Sequence, residues 1–569
     1  MESLSSSFLQ KYSPTPNSPT ASPQVFRFKI QSVKIDEKPA RTSFLNPAEK
    51  LAPVLHDQAE GKTTEVKKKS IRSIIFRSLD NFICKYIDPP LRASIDPKHV
   101  LSGNFYPVDE LPPTACEVVK GTLPPCLDGA YIRNGPNPQF IPRGPYHLFD
   151  GDGMLHCIRI RDGEVKFSSR FIRTYKYELE KETGSPVILN VFSAFNGLAA
   201  SISRCVLTLG RVLSGEYDPR QGIGTANTSL ALFDGNLFAL GESDLPYRIK
   251  LTPNGDIITL GRHESFGGQF TTMTAHPKID AETQEAFAFR QGITFMPPFL
   301  IYFKINKNGE KQPEVPIFSL AEPSLIHDFA VSKKYAIFPD TQIVMNPKNI
   351  LNGVPAISVD AKKVPRLGII PRDASDESEM WWVEVPGFNM IHAVNAWDED
   401  GDTIVMVAPN VLSVEHDKIV KRWTLATANL DFAVINPAYT GKKNRYIYAA
   451  IGSPMPKISG VVKIDTSLST ADSNDCTVAS RLYGHKCHGG EAIFVPREPD
   501  NPTTEEDDGY LLTYVHNEIT GESEFVVMDA KSPTLEIVAA VRLPQRVPYG
   551  FHGIFVRECV LKNCNLNPN

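Results

Sequence analysis

An all-β domain of many short antiparallel strands is the fold class that this sequence predicts. From about Asn104 onward, β-rich runs such as 403–408 and 445–451 alternate with turn dipeptides such as Asp234-Gly235. Such alternation is typical of hairpins, and it continues over about 450 residues. A sandwich array, a barrel and a propeller all satisfy the pattern. A propeller of seven blades would use about 64 residues per blade.

The second observation is a set of four histidines, each inside a distinctive phrase. Imidazole is a strong neutral ligand for iron, copper or zinc, so these residues are candidate metal ligands. Successive members are 51, 65 and 160 residues apart, which approximates one blade, one blade and two to three blades of a propeller. Only a closed, repeating architecture could point all four at one axis. The residues and their phrases are His276 in TAHPK, His327 in LIHDFA, His392 in MIHAVNAWDE and His552 in PYGFHG.

Composition excludes several other classes of site. The chain has 569 residues, of which 41% are hydrophobic, and a net charge of −5, which gives no indication of nucleic-acid binding. Its nine cysteines include no C-x-x-C pair and indicate free thiols in a reducing compartment. The sequence contains no H-E-x-x-H motif, the pattern that would indicate a zinc hydrolase. Five further histidines are interpreted as ordinary surface or core residues: His56, His147, His263, His416 and His516.

The N-terminus has the composition of an organelle address. Residues 3–35 contain no Asp or Glu and are rich in Ser, Thr and Pro, with scattered Lys and Arg. This acid-poor, hydroxyl-rich composition is typical of transit peptides. We therefore expect a plastid transit peptide over 1–35, with a plain disordered tail as the alternative, and a flexible segment over 36–66.

Two apolar helices interrupt this organisation. In 67–90, apolar residues recur at three- and four-residue steps among basic ones, until Pro89-Pro90 ends the pattern. A basic amphipathic helix of this kind suits a membrane surface, although it could also pack on the main domain. The second helix, at about 193–215, indicates a lid or a membrane-dipping element, with a buried packing helix as the alternative. Its apolar positions are Phe195, Leu198, Ile202, Val206, Leu209 and Leu213, with Arg204 and Arg211 interspersed.

The histidine phrases, together with YIRNGPNP at 131–138, FDGDGM at 149–154 and GGE at 489–491, resemble the plant carotenoid cleavage dioxygenases. The resemblance covers about 105–558, so we expect the dioxygenase domain to span 104–558 and a tail to span 559–569. The leader and the phrase LDFAVIN at 430–436 are most similar to the fourth, plastid subfamily.

The resemblance implies a seven-bladed propeller with Fe(II) on its axis, held by His276, His327, His392 and His552. It also implies three carboxylates that accept the other ring N–H of three histidines and so fix their tautomers. Two are the glutamates of the family pattern, and the third position here is an aspartate, which is one methylene shorter. We therefore expect either a backbone shift or a bridging water at that position. The three residues are Glu242, Asp431 and Glu491.

The reaction that the resemblance implies is addition of O2 across one C=C bond of a carotenoid, such as β-carotene or a xanthophyll, to give aldehydes or ketones. The 9,10 and/or 9′,10′ bonds are the expected positions; 7,8 and 11,12 are alternatives, as is a non-oxidative reaction on a retinoid. A plastid carotenoid-binding protein without turnover is an alternative of another class. Candidate tunnel residues are Phe551, Phe432 and Ile391. The two apolar helices would take substrate from a plastid membrane or plastoglobule.

Overall fold

The computed structural model describes residues 71–190, 192–193, 196–267, 271–291, 296–345, 349, 357–399, 403–411, 424–452, 455–470, 475–501 and 503–566. The expected transit peptide (1–35), the flexible segment (36–66) and the first residues of the 67–90 helix lie outside this range, as does Phe195. Strands are the most abundant secondary structure among the described residues, and the predicted all-β propeller is confirmed.

The first strands in chain order are β1 (Leu111–Ala115), β2 (Glu117–Gly121), β3 (Gly129–Asn137), β4 (Asp152–Arg161), β5 (Glu164–Phe171), β6 (Ser229–Phe233), β7 (Asn236–Leu240), β8 (Tyr247–Leu251), β9 (Ile257–Arg262), β10 (Lys278–Ile279), β11 (Ala286–Arg290), β12 (Leu300–Ile305) and β13 (Val315–Ile317). They are followed by β14 (Ala330–Val331), β15 (Tyr335–Asp340), β16 (Ile343–Met345), β17 (Ile357–Val359), β18 (Arg366–Pro371), β19 (Trp381–Glu384), β20 (Asn395–Asp398), β21 (Ile404–Val407) and β22 (Leu430–Val434). The last strands are β23 (Tyr446–Gly452), β24 (Ile458–Asp465), β25 (Thr477–Leu482), β26 (Cys487–Gly489), β27 (Ile493–Pro496), β28 (Gly509–Asn517), β29 (Ser523–Asp529), β30 (Ile537–Arg542) and β31 (Gly553–Arg557). The described α-helices are α1 (Ile71–Phe82), α2 (Pro97–Val100), α3 (Tyr175–Thr183), α4 (Leu198–Leu213) and α5 (Glu558–Leu566).

All of these strands except β16, β17 and β26 fall into seven antiparallel groups, which we number as blades 1 to 7. Blade 1 has the order β1-β5-β4-β3-β31, blade 2 is β6–β9, blade 3 is β10–β13, and blade 4 has the order β14-β15-β18-β19. Blade 5 is represented by β20 and β21, and β16 pairs separately with β17. Blade 6 (β22–β25) and blade 7 (β27–β30 with β2) join through β26 into one ten-stranded sheet. No single sheet among the described strands closes on itself.

The chain ends of the domain meet in blade 1. The C-terminal β31 adds to β3 as an antiparallel neighbour, with Arg133 opposite Gly553. This pairing places residues near the end of the chain beside the first strands, so His552 comes to the centre of the fold. It also explains why a histidine 160 residues beyond His392 can join the other three.

The core consists of apolar layers between neighbouring blades. Tyr131 of blade 1 packs against Tyr514 and Phe525 of blade 7, with ring centroids 4.9 and 5.4 Å apart. Strands covered on both faces lose the alternation of apolar and polar residues that a half-exposed strand shows. In β4, every residue except the last is buried.

The helix α4 has inverted amphipathicity. Its arginines Arg204 and Arg211 are buried, with each side chain only 4–5% exposed, and Arg204 pairs with both oxygens of Asp88 at 2.5 and 2.6 Å. The apolar stripe faces outward instead, so the alternative of a buried packing helix is wrong. The exposed members are Leu198, Ile202, Val206, Leu209 and Leu213, the last being 79% exposed.

The basic segment 67–90 forms α1 and a following π-helical turn over Ile83–Ile87. It lies beside α4, because Arg72 donates to the carbonyl of Ser214 at 2.8 Å. The ring of Phe76 also packs on Gly210: a Cβ at position 210 would lie 3.2 Å from the nearest ring carbon. Its apolar residues are exposed too, namely Ile71, Ile74, Ile75, Leu79, Phe82 and Tyr86. We call the exposed apolar residues of α1, its π turn and α4 the apolar patch. None of the described helices has both the length and the apolar character needed to span a membrane.

Two helices had no clear signal in the sequence. The polar α3 begins at Thr174, whose hydroxyl accepts from the N–H of Tyr177, and ends at Gly184, whose φ of +66° suits glycine. The tail from residue 558 forms α5, which places the buried Leu561 in the core beneath blades 1 and 2. Glu558 also forms a buried ion pair with Arg159. The tail therefore packs on the domain.

Candidate metal centre

Each of the four histidines comes just before an edge strand, and the four strands belong to four different blades. His276 comes two residues before β10, His327 three before β14, His392 three before β20, and His552 directly before β31. Because these four strands begin close to one another, the residues just before them lie close together as well. The structure therefore brings together all four residues that the sequence marked as candidate metal ligands.

The ring nitrogens of these histidines form one cluster. Each histidine offers a nitrogen within 4.8 Å of those of the other three, and Nε2 of His276 lies 2.9 Å from Nε2 of His327. Transition metals bind imidazole nitrogen at about 2.1 Å, so two nitrogens at right angles on one ion lie about 3.0 Å apart. The cluster therefore fits a single metal ion.

Three carboxylates hold three of the rings. Each accepts from an Nδ1, which leaves the Nε2 lone pair of that ring as the one available to a metal. The pairs are Glu242 Oε1 with His327 at 2.6 Å, Asp431 Oδ1 with His392 at 2.8 Å, and Glu491 Oε1 with His552 at 2.9 Å. Glu491 also accepts from the N–H of Gly553 at 2.9 Å, which ties the end of the histidine loop to the carboxylate.

These seven residues come one from each blade. The histidines belong to blades 3, 4, 5 and 1, and the carboxylates follow β7 of blade 2, lie in β22 of blade 6, or lie between β26 and β27 at blade 7. The four histidines and the three carboxylates therefore form one ring of residues around the axis. Sequence spacing alone did not reveal this arrangement.

Asp431 reaches His392 directly, without a bridging water. The pairing of β22 with β23 shifts between Asp431 and Val434, and Phe432 has φ of +49°. The N–H of Phe432 donates to Oδ1 of Asp431 at 2.8 Å. A bulge next to the shorter carboxylate is the expected backbone shift, and a left-handed Phe is a strained residue of the kind that concentrates at functional sites.

The fourth histidine, His276, has no carboxylate partner among the described residues. Burial, together with the nearby rings of His327 and His552, lowers its pKa well below the ordinary value. It is therefore neutral near pH 7 and able to donate a lone pair. Its backbone N–H is held by the hydroxyl of Thr274 at 3.0 Å.

In the histidine–carboxylate pairs, the partner shifts the pKa in the direction opposite to the effect of burial. Burial alone would raise the pKa of Glu242 and of Asp431, but the charge and hydrogen bond of the partner histidine lower both below their ordinary values. Burial alone would lower the pKa of His392, but Asp431 raises it. Both carboxylates are therefore ionised at neutral pH and supply negative charge beside the histidine cluster.

A buried carboxylate that sequence reasoning missed joins three histidine loops. Asp328, directly after His327, accepts from the N–H of Ala393 at 2.8 Å, one residue after His392. It also pairs at 2.7 Å with Lys278, two residues after His276. The phrase LIHDFA contained this aspartate, and its position beside a candidate ligand was the available signal.

Aromatic rings line one side of the cluster. The ring of Phe432 lies 5.4 Å from that of His392 and 5.3 Å from that of His552. Phe551 contacts Phe149 at 5.5 Å, and Phe149 contacts Phe192 at 5.4 Å. Phe192 is 40% exposed and lies just before α4. Phe551, Phe149 and Phe192 therefore form a row of contacting rings that begins one residue before His552 and ends six residues before α4, while Phe432 contacts the histidine rings directly.

The other residues named in the sequence analysis that the structure describes are not part of the histidine cluster. Ile391 is partly buried beside His392 in the chain. His147, interpreted from the sequence as ordinary, stacks on Phe192 at 5.5 Å and so belongs to the aromatic row, while accepting from the N–H of Phe149 at 3.2 Å. His263 and His516 lie outside the cluster, and His56 and His416 fall outside the described residues.

Comparison with known proteins places this arrangement in a family. The sequence profile of the retinal pigment epithelial membrane protein family matches residues 105–422 and 410–557. The chain is 58% identical over 514 residues to the probable carotenoid cleavage dioxygenase 4, chloroplastic, of Arabidopsis thaliana, covering 86% of each chain. It is 50% identical over 369 residues to the zeaxanthin 7,8(7′,8′)-cleavage dioxygenase, chromoplastic, of Crocus sativus, covering 61% of this chain and 99% of that one.

A solved structure has the same fold. The cobalt-substituted ACO of Synechocystis superposes with a TM-score of 0.63 at 26% identity, covering 82% of this chain and all of that one. The four-histidine cluster of this chain is consistent with a bound metal ion.

Proposed function

Because the chain belongs to the retinal pigment epithelial membrane protein family, which includes the carotenoid cleavage dioxygenases, we propose that it is a non-haem iron dioxygenase. It splits one C=C bond of a carotenoid with O2 into two carbonyl products. The observation that carries this proposal is the cluster of four histidine nitrogens within 4.8 Å, three of them oriented by carboxylates.

His276, His327, His392 and His552 are the residues that would hold the metal. Imidazole suits iron, copper, nickel and zinc alike, and no cysteine among the described residues joins the site. The family supports iron, and bound Fe(II) would supply the ability to activate O2. The four histidines would be its protein ligands, and O2 would bind the same ion.

The carboxylates set the tautomers and the charge. Glu242, Asp431 and Glu491 each accept from Nδ1–H, so the Nε2 atoms of three rings face the centre as acceptors. Partners of this kind typically change metal affinity or activity by about 10–100-fold. His276 needs no such partner to stay neutral, because burial already lowers its pKa.

The row of aromatic rings would guide and stabilise the polyene. Phe432 and Phe551 present ring faces or edges beside the histidines, where positive charge would develop on a conjugated chain as a C=C bond is attacked. Aromatic faces stabilise cations by about 0.5–2 kcal/mol. An apolar lining would also keep water away from the carotenoid bond while it is converted into carbonyl products.

The apolar patch supports membrane-borne substrate delivery. The ion pair Arg204–Asp88 holds the polar side of α4 against the segment that follows α1, and Arg211 donates to the carbonyl of Val187 at 2.6 Å. The apolar side of α4 therefore faces outward, as for an interfacial helix. The aromatic row ends at Phe192, six residues before α4 in the chain. We assign the patch to a plastid membrane or plastoglobule surface. The plastid location is supported by the chloroplastic relative and by the composition of the leader.

The 9,10 and/or 9′,10′ bonds are the proposed cleavage position, as the resemblance to the fourth plant subfamily implies. Cleavage at 7,8 and 7′,8′ is the second candidate, because a relative named for that reaction on zeaxanthin is 50% identical over 369 residues. Cleavage at 11,12 would use the same chemistry. The bond depends on how far the polyene slides past Phe432 and Phe551.

Mass spectrometry of products from a carotenoid panel tests the proposal. Fe(II)-loaded protein is incubated with β-carotene, zeaxanthin and a 9-cis-epoxycarotenoid under O2, and each bond gives a different fragment length. Cleavage at 9,10 yields a C13 ketone. A protein that binds carotenoid but returns it intact, with no oxygen uptake, would instead be the carotenoid-binding protein of the alternative hypothesis.

A further inference from the structure

A buried cationic cluster lies between blades 1 and 7, apart from the histidine cluster. Arg133 on β3 and His156 on β4 are directly opposite in the strand register, so their side chains share one face. Both are almost fully buried, at 2% and 3% exposed. Neither residue has a role in the proposed oxygenation.

Arg133 is a buried cation without a carboxylate. Its Nη2 donates to the carbonyl of Pro548, and its guanidinium lies 5.3 Å from the ring centroid of Tyr514. Its Nε–H has no partner among the described residues. Burial lowers the pKa of Arg133, and only tyrosines oppose that shift. Burying an unpaired charge is strongly unfavourable, so a counter-charge is expected.

Further hydrogen-bond donors lie on the same face of the sheet. The hydroxyl of Tyr131, two residues from Arg133 on the same face of β3, is buried and has no partner among the described residues. Both ring nitrogens of His156 also lack partners there. Burial, with the charges of Arg133 and Arg546, lowers the pKa of His156 well below its ordinary value, so the ring is neutral and brings one N–H.

The second arginine adds positive charge without a carboxylate. Arg546 donates to Asn104 Oδ1 at 3.1 Å and to the carbonyls of Tyr106 and Pro107 at 2.7 and 2.8 Å. All three acceptors are neutral. The cluster therefore has two guanidinium charges, and no described carboxylate forms an ion pair with either.

Glycines let the loop before β31 approach these donors closely. A Cβ at Gly550 would lie 3.0 Å from Nε of Arg133, and a Cβ at Gly553 would lie 3.3 Å from the hydroxyl oxygen of Tyr131. Both glycines lie within two residues of His552, and Gly553 is paired with Arg133 across β31 and β3. The loop that carries His552 therefore packs directly on Arg133 and Tyr131.

We infer that this cluster binds a small monovalent anion of the halide class, which accepts hydrogen bonds from Arg133 Nε, Tyr131 Oη and a ring nitrogen of His156. A monovalent anion would accept from these three donors and compensate the charge of Arg133, whereas a water molecule supplies no charge. Neighbouring backbone bonds link the site to the loop before β31: Asn134 donates to the carbonyl of His552 at 2.9 Å and accepts from Phe551 at 3.0 Å. The anion would therefore stabilise the loop that carries His552.

Crystals of the full chain soaked in sodium bromide give the direct test. The expected result is an anomalous bromide peak beside Nε of Arg133 that chloride displaces. Wild-type crystals whose density at this position is water, with no anomalous signal, would overturn the inference. This test needs no variant and does not depend on the reaction that the enzyme catalyses.

Solution binding gives a second readout. The Tm of the wild type is expected to rise with the logarithm of chloride concentration when gluconate keeps ionic strength constant. Tyr131→Phe preserves the ring but removes one donor, and we expect about a tenfold loss of chloride affinity. Arg557→Met, at the far end of β31 in an ion pair with Asp500, is the control and should retain the wild-type response. Equal chloride responses in wild type and Tyr131→Phe would also contradict the inference.

Discussion

Asp431 holds His392 through a direct contact of 2.8 Å between Oδ1 and Nδ1. The carboxylate is one methylene shorter than the glutamates at the other two positions, and the bulge at Phe432 accompanies its reach. Side-chain length and backbone conformation are therefore matched at this blade. Changes to either residue should affect the metal centre in ways that can be separated.

Replacing Asp431 with Asn removes the negative charge and lets an amide donate to Nδ1, which favours the wrong tautomer of His392. We expect a loss of about 10–100-fold in metal affinity, measured by competition with a chelator. Asp500→Asn, in an exposed ion pair with Arg557, is the control and should bind metal as the wild type does. Unchanged affinity in Asp431→Asn would show that the contact does not orient the ligand.

The left-handed backbone of Phe432 predicts an unusual order of stabilities. Phe432→Ala and Phe432→Gly both lose the ring, but only glycine adopts φ of +49° without strain. We expect the glycine variant to be more stable than the alanine variant by about 1–2 kcal/mol, visible as a higher Tm. At an ordinary backbone position the order would be reversed.

Asp328 should matter for assembly of the site, because it ties together the loops of three histidines. Asp328→Asn breaks a buried pair with Lys278, which typically costs about 3–5 kcal/mol, and we expect both a lower Tm and less bound iron. Asp373→Asn, whose side chain is 72% exposed in its pair with Lys304, should cost about 0–1 kcal/mol. Equal effects of the two substitutions would argue against a positioning role for Asp328.

The buried ring of His147 predicts a loss of stability in acid. Burial lowers its pKa to about 4, so the unfolded chain gains a proton near pH 6.5 and the folded protein does not until about pH 4. The free energy of unfolding should therefore fall as pH drops through this window, by on the order of 3 kcal/mol from this residue. His147→Asn retains an acceptor for the N–H of Phe149 and should flatten the profile. A variant with the wild-type pH dependence would contradict this assignment.

The apolar patch predicts membrane binding that depends on two positions of α4. Val206 and Leu209 are 64% and 56% exposed, and replacing both with Ser should weaken binding to galactolipid vesicles by at least about tenfold. Vesicle sedimentation measures this effect. Leu482→Ser, on the exposed blade 6 strand β25, is the matched control because Leu482 is also 64% exposed. Equal losses in the two proteins would remove the patch as the docking surface.

The sequence predicted the all-β fold from turn dipeptides and the histidine set from residue type and phrase. The carboxylates followed from the family resemblance, because nothing in the spacing of Glu242, Asp431 and Glu491 indicates that they face histidines from other blades. Asp328 was missed since its role depends on Lys278 and Ala393, which approach only in the folded state. The inverted α4 was also ambiguous: a helical period locates the two faces, but the partners of Arg204 and Arg211 decide which face is buried.

The central claim is that the four-histidine centre is an iron site that cleaves carotenoids. Its most direct test measures iron content and carotenoid fragments together in the wild type, in His392→Ala and in His485→Ala, which replaces an exposed histidine outside the cluster. We expect one iron per chain and two carbonyl fragments from wild type and His485→Ala, and loss of both in His392→Ala. Full cleavage by His392→Ala, or intact carotenoid from iron-loaded wild type, would contradict the account.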